Sequence, residues 1–194
     1  MEKLTDAHLY RVFLRVNDLQ CKQTFESMAE GQDFLMAKLR ALAEAYEKIC
    51  WNEFQNRTQF SLERMLPYGF GVGFRQKSAI RRAYGEYWER RICADLLKKN
   101  VLGPGLKKQI DTPVGLVFLC FLCLGSGENG TGYGLNAAQA EDSALRSAWR
   151  KKSYPQVPPH FSETTASPEV TRLTPLEYPW LECFCVGTLR KTIA

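Results

Sequence analysis

Apolar residues along the chain either alternate with polar ones or recur at helical spacing, and these patterns predict strands and helices in turn. Residues 8–16 are rich in apolar side chains and partly alternate, which predicts a strand, and residues 20–27 are a candidate second strand. From Phe34 to Phe54 apolar residues recur every three or four positions, which predicts a helix. The apolar stripe of this helix consists of Leu35, Leu39, Leu42, Tyr46 and Ile49.

The pattern continues with a short strand over 59–65 and a second helix over 78–99. The apolar stripe of this second helix consists of Ile80, Tyr84, Tyr87 and Trp88. The segment Val114–Leu124 is apolar at almost every position, which is typical of a central strand covered on both faces.

Past this strand, the glycine-rich stretch 125–134 predicts a loop that leads into a third helix over 137–151. Prolines and hydroxyl residues then predict an exposed loop at 154–179, before a last strand at 180–189. The fold class expected is α/β or α+β: repeated strand–glycine loop–helix units forming a mixed sheet covered by helices, in a single domain over 1–194.

Length and composition place the chain among ordinary globular proteins, with 194 residues of which 45% are hydrophobic. The longest apolar run is Val114–Leu124, far shorter than the roughly 20 residues that a membrane helix needs, so no membrane association is expected. The first residues resemble no secretory signal, and seven cysteines are an odd number. These features predict reduced thiols and a cytoplasmic location.

Few residues can carry chemistry here, because the chain has only two histidines, His8 and His160, and they have no ligand-spaced partners. This inventory argues against a histidine metal centre and against a Ser-His-Asp triad. Carboxylates, basic residues or a bound cofactor must then do any chemistry.

Positive charge is concentrated in residues 60–110, which hold eleven Lys and Arg against four acids, a net charge of +7. Such a segment attracts polyanions, so nucleic-acid binding is one hypothesis for it. A solvated helix face with paired charges is the alternative.

A spacing shared by the three predicted helices is the most informative feature of the sequence. In each, a glycine is followed by alanines at offsets +6 and +10, and in the first two by glutamates at +13 and +16. The first set is Gly31, Ala37, Ala41, Glu44 and Glu47. The second set is Gly73, Ala79, Ala83, Glu86 and Glu89. The third set is Gly134, Ala140, Ala144, Ser147 and Arg150, without the acids.

On a helix these offsets lie on or beside one face, so each helix carries a stripe of small residues, which ends in two carboxylates in the first two helices. Small residues allow close approach by another backbone or by a flat ligand. Two adjacent acids repel each other unless a cation or hydrogen-bond donors lie between them. Two such helices face to face present four carboxylates, an arrangement suited to magnesium on the phosphates of a nucleotide. Good helix-forming composition with solvated acids is the plain alternative.

The second set lies in residues 69–92, which resemble the glycine-led Ala/Glu-x-x-Glu-Arg helix of the YcaO family. Residues 31–48 resemble the other Glu-x-x-Glu helix of that family, and residues 112–150 its later strand, glycine loop and alanine-rich helix. The resemblance covers about residues 28–150, in the order of the family.

The resemblance implies a fold that binds ATP and Mg²⁺. Family members use ATP to phosphorylate a peptide amide oxygen, and a nucleophile then gives azoline, amidine or thioamide products in peptide natural-product pathways. By residue matching, Glu44, Glu47, Glu86 and Glu89 hold the metal, and Arg90 contacts phosphate. Gly31 and Gly73 complete the nucleotide site, and the expected partners are a peptide or protein substrate, with a second copy or a fuller member of the pathway.

Five residues in three segments depart from the family pattern. Pro67 and Tyr68 replace a Ser-Asn pair, Ala29-Glu30 replaces Gly-Lys, and Lys48 replaces an arginine. These departures favour an alternative in which the chain is a YcaO-like partner that binds peptide without turnover. The sequence leaves the enzyme and the non-catalytic partner open.

Overall fold

The computed structural model of the chain describes residues 2–4, 9–19, 22–58, 65–98, 106–124, 127–153, 167–174 and 181–189. The protein is a mixed α+β chain with three helices and three small antiparallel sheets in these ranges. It divides into two compact units, Met1–Gln59 and Phe60–Ala194.

The first unit is a three-stranded sheet packed against one helix. Its elements are β1 (Glu2–Leu4), β2 (Leu9–Asp18), β3 (Gln23–Gly31) and α1 (Phe34–Thr58). The strands lie in the order β1-β2-β3, and α1 contacts β2 and β3. The alanine face of α1 is the one that packs on the sheet, since Ala37 and Ala41 cluster with Val12 and Ala29.

The leucines of the predicted apolar stripe lie outside the contact between α1 and the sheet. Leu35, Leu39 and Leu42 are exposed, although Ile49, further along the same stripe, is buried. Because α1 approaches the sheet through alanines, its larger side chains at this end stand beside the contact instead of within it.

The second unit consists of two three-stranded sheets and two helices. Its elements are β4 (Met65–Gly73), α2 (Gln76–Lys98), β5 (Leu106–Thr112), β6 (Gly115–Cys123), β7 (Asn129–Gly134), α3 (Ala137–Ser153), β8 (Glu169–Arg172) and β9 (Glu182–Leu189). One sheet has the order β4-β9-β8 and the other β5-β6-β7. Helix α2 packs on β4 and β9 of the first sheet and on β6 and β7 of the second, so it forms a layer between them.

Strand β6 confirms the prediction of a strand covered on both faces. Val117 and Leu119 belong to the buried cluster around α2, and Cys120 belongs to the cluster around α3 with Phe118 beside it. Alternate residues of one apolar strand thus enter two cores, which explains why the segment shows no polar alternation.

Glycines and alanines bring strand and helix backbones into direct contact. Over 69–73 in β4 and 130–134 in β7 the residues that face the helix are all glycine. A Cβ on Gly69, Gly71, Gly130 or Gly132 would lie only 2.0–2.3 Å from the nearest backbone atom of the facing helix. Real Cβ atoms need well over 3 Å, so a side chain does not fit at these positions. The alanine stripe therefore serves approach by another backbone, the first of the two uses that the spacing predicts.

Helices α1 and α3 begin in the same way, with a capping side chain two residues after the strand-ending glycine. In α1 the Asp33 Oδ1 atom accepts from the Met36 N–H at 2.7 Å, and in α3 the Asn136 Oδ1 atom accepts from the Gln139 N–H at 2.9 Å. Each cap satisfies one of the free N–H groups of a first turn.

We expect Asp33→Ala to lower the free energy of unfolding by about 1 kcal/mol, since loss of an N-cap acceptor costs roughly that much. Urea unfolding followed by circular dichroism measures the change. Asp33→Asn keeps the acceptor and serves as the control, with a loss well below that of alanine. Equal losses for the two variants would contradict the capping role.

Several predicted elements are confirmed with shifted ends. The helices predicted over 34–54, 78–99 and 137–151 are α1, α2 and α3, and the strands over 8–16 and 180–189 are β2 and β9. The strand predicted over 20–27 is β3, which runs later, to Gly31. The short strand over 59–65 lies almost wholly outside the described residues.

Other predictions need correction. The glycine-rich loop expected over 125–134 contains β7, and the proline-rich loop expected over 154–179 contains β8 in its described part. The expected mixed sheet is instead three antiparallel sheets, because short turns join β2 to β3 and β5 to β6 to β7 as direct neighbours. The single domain over 1–194 stays a prediction, since compact units by themselves do not decide whether the two fold together.

Candidate functional site

Glu86 and Arg90 lie one turn apart on α2 and both reach the outer side of β4. Strand β4 is at one edge of its sheet in the part of the chain that the structure describes. The Phe70 N–H donates to Glu86 Oε2 at 2.5 Å, and Arg90 Nη1 donates to the Tyr68 carbonyl oxygen at 3.0 Å. Glu86 Oε1 and Arg90 Nη2 form an ion pair. Glu86 thus binds one backbone N–H of this edge, and Arg90 binds one backbone carbonyl oxygen.

The second acid of the pair, Glu89, points to the other sheet. Thr131 of β7 donates its hydroxyl to Glu89 Oε1 at 2.8 Å. Because α2 lies between the two sheets, its Glu-x-x-Glu sequence links them, with Glu86 bound to β4 and Glu89 bound to β7. Hydrogen-bond donors thus accompany both carboxylates, which offsets the repulsion expected between neighbouring acids.

Arg90 is held by charge and by an aromatic ring. Its guanidinium carbon lies 4.5 Å from the centroid of the Tyr68 ring, a cation–π distance. Burial by itself lowers the pKa of Arg90, but Glu86, Tyr68 and Glu89 together more than offset this, so that the pKa is raised. Arg90 is therefore a fixed positive charge at any pH at which the protein is folded.

Helix α1 carries a similar acid–base pair beside strand β3. Lys48 Nζ pairs with Glu44 Oε1 at 3.0 Å and donates to the Glu26 carbonyl oxygen at 2.6 Å. Glu44 and Lys48 stand 13 and 17 residues after Gly31, as Glu86 and Arg90 stand after Gly73. The carbonyls that they serve, Glu26 and Tyr68, each lie five residues before the glycine. Equal spacing in the sequence gives the same contact in both units.

Gly31 and Gly73 end the two strands that precede these helices. A Cβ on Gly31 would lie 2.5 Å from the Ala37 nitrogen, so close packing requires glycine there. A Cβ on Gly73 would lie 3.4 Å from the Ala79 nitrogen, which is ordinary contact. Packing therefore requires glycine at position 31, whereas at position 73 it would also allow another small residue.

The four predicted magnesium ligands divide between the two units, with Glu44 and Glu47 in the first and Glu86 and Glu89 in the second. In neither unit do three or more His, Cys, Asp or Glu side chains among the described residues form a group that could hold a metal ion. A site with all four acids stays a prediction.

The chemistry of these residues fits magnesium, which prefers carboxylate oxygens. A carboxylate oxygen carries two lone pairs, so one that accepts a single hydrogen bond can still ligate a cation. Glu44 is the more accessible of the paired acids, with 39% of its side chain exposed against 21% for Glu86.

Three arginines of the basic segment have structural partners, which lowers the charge available to a polyanion. Arg81 donates to the carbonyl oxygens of Leu116 and Leu135, and Arg91 donates to the Tyr87 hydroxyl and covers the Trp88 ring. Arg90 belongs to the β4 edge. The nucleic-acid hypothesis then depends on exposed residues such as Arg75, Lys77 and Arg82.

The contacts of Tyr68, Phe70 and Thr131 could not be read from the sequence, which marked Tyr68 only as a departure from the family pattern. Tyr68 and Phe70 bind the charged pair through backbone atoms, and Thr131 contributes a common hydroxyl. The signal that could have located them is glycine at every second position of 69–73 and 130–134, which marks a strand face closely packed on a helix. The intervening residues point the other way, toward the edge contacts or the second core.

Cysteine side chains lie mostly in the cores, since Cys50, Cys120, Cys183 and Cys185 are buried and Cys123 is exposed. Cys120 and Cys123 lie on opposite sides of β6, since Cys120 is buried and Cys123 exposed, so this Cys-x-x-Cys pair is not arranged as a zinc knuckle. Burial and the nearby Glu141 raise the pKa of Cys120, although Lys107 opposes them.

Comparison of the chain with protein-family models, curated proteins and solved structures gives no match. The resemblance to the YcaO family therefore stays a prediction that depends on the motifs quoted above. None of the helices that the structure describes is both long enough and apolar enough to span a bilayer.

Proposed function

We propose that this chain is a YcaO-like protein that binds ATP with magnesium and activates backbone amides of a peptide by phosphorylation. The observation that carries the proposal is the acid–base pair at equal offsets on α1 and α2. In both helices a glutamate at +13 is paired with a base at +17, next to the edge of the preceding strand. Because the same acid–base pair occurs in both units, we infer a shared function for the two Glu-x-x-Glu sequences.

In this proposal Glu44, Glu47, Glu86 and Glu89 hold magnesium and Arg90 contacts a phosphate. ATP supplies the phosphoryl group that turns an amide oxygen into a leaving group. The chain contributes position and charge, which is what phosphoryl transfer requires most. The proposed setting is the cytoplasm, with a peptide or protein substrate and either a second copy or a fuller YcaO-type partner.

Titration of the protein with ATP in a calorimeter, with and without magnesium, tests the proposal. We expect binding only with magnesium, and we expect Glu44→Gln and Glu86→Gln each to weaken it at least about tenfold, because each removes a charged ligand. Glu141→Gln is the matched control, since Glu141 is an exposed acid on α3 that pairs with Lys107.

Thermal unfolding of each variant shows whether the fold survives the change. Loss of binding in a variant that unfolds at the wild-type temperature supports direct ligation. Absence of ATP binding in the wild-type protein, or equal loss in Glu141→Gln, would overturn the proposal.

A second candidate is a YcaO-like partner that binds peptide without turnover. It is favoured by Glu86, whose two oxygens are both engaged, one by Arg90 and one by the Phe70 N–H. A partner complex that forms equally well with Glu44→Gln and Glu86→Gln, in a protein that does not hydrolyse ATP, would select this candidate.

A further inference from the structure

We infer that the outer edge of β4 is a binding site for an extended peptide strand, which the Glu86–Arg90 pair covers in the free protein. The proposed function includes a peptide partner, and this inference gives that partner a place, but it rests on the backbone of β4 and not on nucleotide binding. The chemistry recognised is the peptide backbone itself.

The first step is the direction of the β4 backbone groups. In an antiparallel sheet the N–H and C=O of one residue point to the same side, and successive residues point to opposite sides, so residues two apart share a side. The Phe70 N–H and the Tyr68 C=O both meet side chains of α2, so residues 68 and 70 direct their hydrogen-bonding groups away from β9. These are the groups through which a further strand pairs.

The second step concerns the side chains that bind these two backbone groups in the free protein. A carboxylate accepts from the Phe70 N–H and a guanidinium donates to the Tyr68 C=O. An incoming strand would offer a C=O and an N–H to the same two atoms. The side-chain pair thus has the hydrogen-bonding complement of a short piece of strand, and it protects an edge beside which no further strand lies among the described residues.

The third step is that the Glu86 and Arg90 side chains can move away from β4 without a change in the fold. Glu86 and Arg90 are one turn apart on the same helix, and their side chains are 21% and 30% exposed. If both rotate outward they keep their mutual ion pair, and α2 need not move. Each hydrogen bond lost to β4 is replaced by one from the peptide, so the exchange is nearly balanced.

The size of the edge favours a short peptide over a second copy of the chain. The pairing of β4 with β9 is irregular between Met65 and Tyr68, so the regular edge runs only from Tyr68 to Gly73. Such bulges prevent long edge-to-edge pairing. Two copies joined through β4 would also have to displace two Glu86–Arg90 pairs from their strands, whereas a peptide displaces one.

Fluorescence anisotropy with a labelled octapeptide tests this inference, in buffer without nucleotide. The probe has the sequence of β9, residues 182–189, with serine in place of both cysteines, because β4 already pairs with that sequence. Its control is the same peptide with N-methyl groups on alternate residues, which removes the N–H groups of one edge.

We expect the probe to bind the wild-type protein weakly and to bind Arg90→Met about tenfold more tightly, because one competing charge-assisted hydrogen bond is gone. Arg91→Met is the matched control on the same helix and should bind like the wild type. Thermal unfolding of both variants confirms that they are folded.

Equal binding of the parent and N-methylated probes, or no tighter binding to Arg90→Met than to Arg91→Met, would overturn the inference. A dimer of Arg90→Met by light scattering, without peptide binding, would show that the edge pairs with a second copy instead. Failure of the peptide experiment in a protein that binds ATP with magnesium would leave the proposed function intact, and the converse result would leave this site intact.

Discussion

Replacing Gly71 with alanine is expected to lower the free energy of unfolding by about 3 kcal/mol, at the upper end of what overpacking costs. The added Cβ would lie 2.1 Å from the Ala79 carbonyl oxygen and 2.4 Å from the Ala83 nitrogen. Both are backbone atoms of α2, so no side chain can turn aside to make room. Strand and helix must separate, and the core around Tyr87 loosens with them.

Gly73→Ala is the matched control, two residues along the same strand. Its Cβ would meet nothing closer than 3.4 Å, and neither glycine has a positive φ that would oppose alanine. We expect the control to change stability by less than about 0.5 kcal/mol. In thermal unfolding the two variants should differ by roughly 6–12 °C for a chain of this size. Equal midpoints would contradict the direct backbone contact.

Arg11→Met is expected to cost about 3–5 kcal/mol, because it removes one partner of a buried ion pair. Arg11 and Glu30 face each other across β2 and β3, with Nε 3.2 Å from Oε1 and side chains only 3% and 1% exposed. Methionine fills a volume similar to that of the arginine stem, so the loss reports the charge more than the packing. Denaturant unfolding measures it.

The same two strands provide the control, since Arg15 and Glu26 form a second cross-strand pair at 2.6 Å with 72% and 69% of their side chains exposed. We expect Arg15→Met to cost less than about 1 kcal/mol, because water replaces the lost partner. The double variant Arg11→Met, Glu30→Met should recover most of the loss. Similar losses for the two single variants would show that burial does not decide the strength of these pairs.

Long periodic segments and fully apolar segments could be predicted from the sequence. The helices and β6 fall where apolar spacing places them. The pattern of β6 reflects the two cores that it enters, whereas in α1 the apolar stripe located the helix but not the alanine face that packs on the sheet. Strands β4 and β7 could not be found by the same reasoning, because half of their residues are glycine or other turn formers. In these strands glycine serves helix packing, so a residue type that disfavours strands locally is required by the tertiary contact.

The candidate site was predictable only in part. Spacing identified Glu44 and Glu86 as residues of one pattern, and the resemblance to the YcaO family singled out Arg90. The structure gives the acid–base pairs similar contacts in both units. What these side chains touch could not be predicted, since Tyr68 and Phe70 contribute backbone atoms that every residue has. The edge position of β4 depends on its pairing with β9, more than 100 residues later in the chain.

The length of the close backbone contact between β4 and α2 is limited by the different repeat lengths of a strand and a helix. Two residues of strand advance about 6.8 Å, whereas four residues of helix advance about 6.0 Å. A strand with glycine at every second position therefore stays in step with a helix that has small residues at every fourth only over a short distance, because the difference adds up at each step. After two such steps the backbones drift out of phase, and β4 has glycine at three positions, 69, 71 and 73. Glu86 binds Phe70 within this stretch, and Arg90 binds Tyr68 one residue before it, so at that end a long charged side chain continues the attachment of helix to strand where the glycines stop.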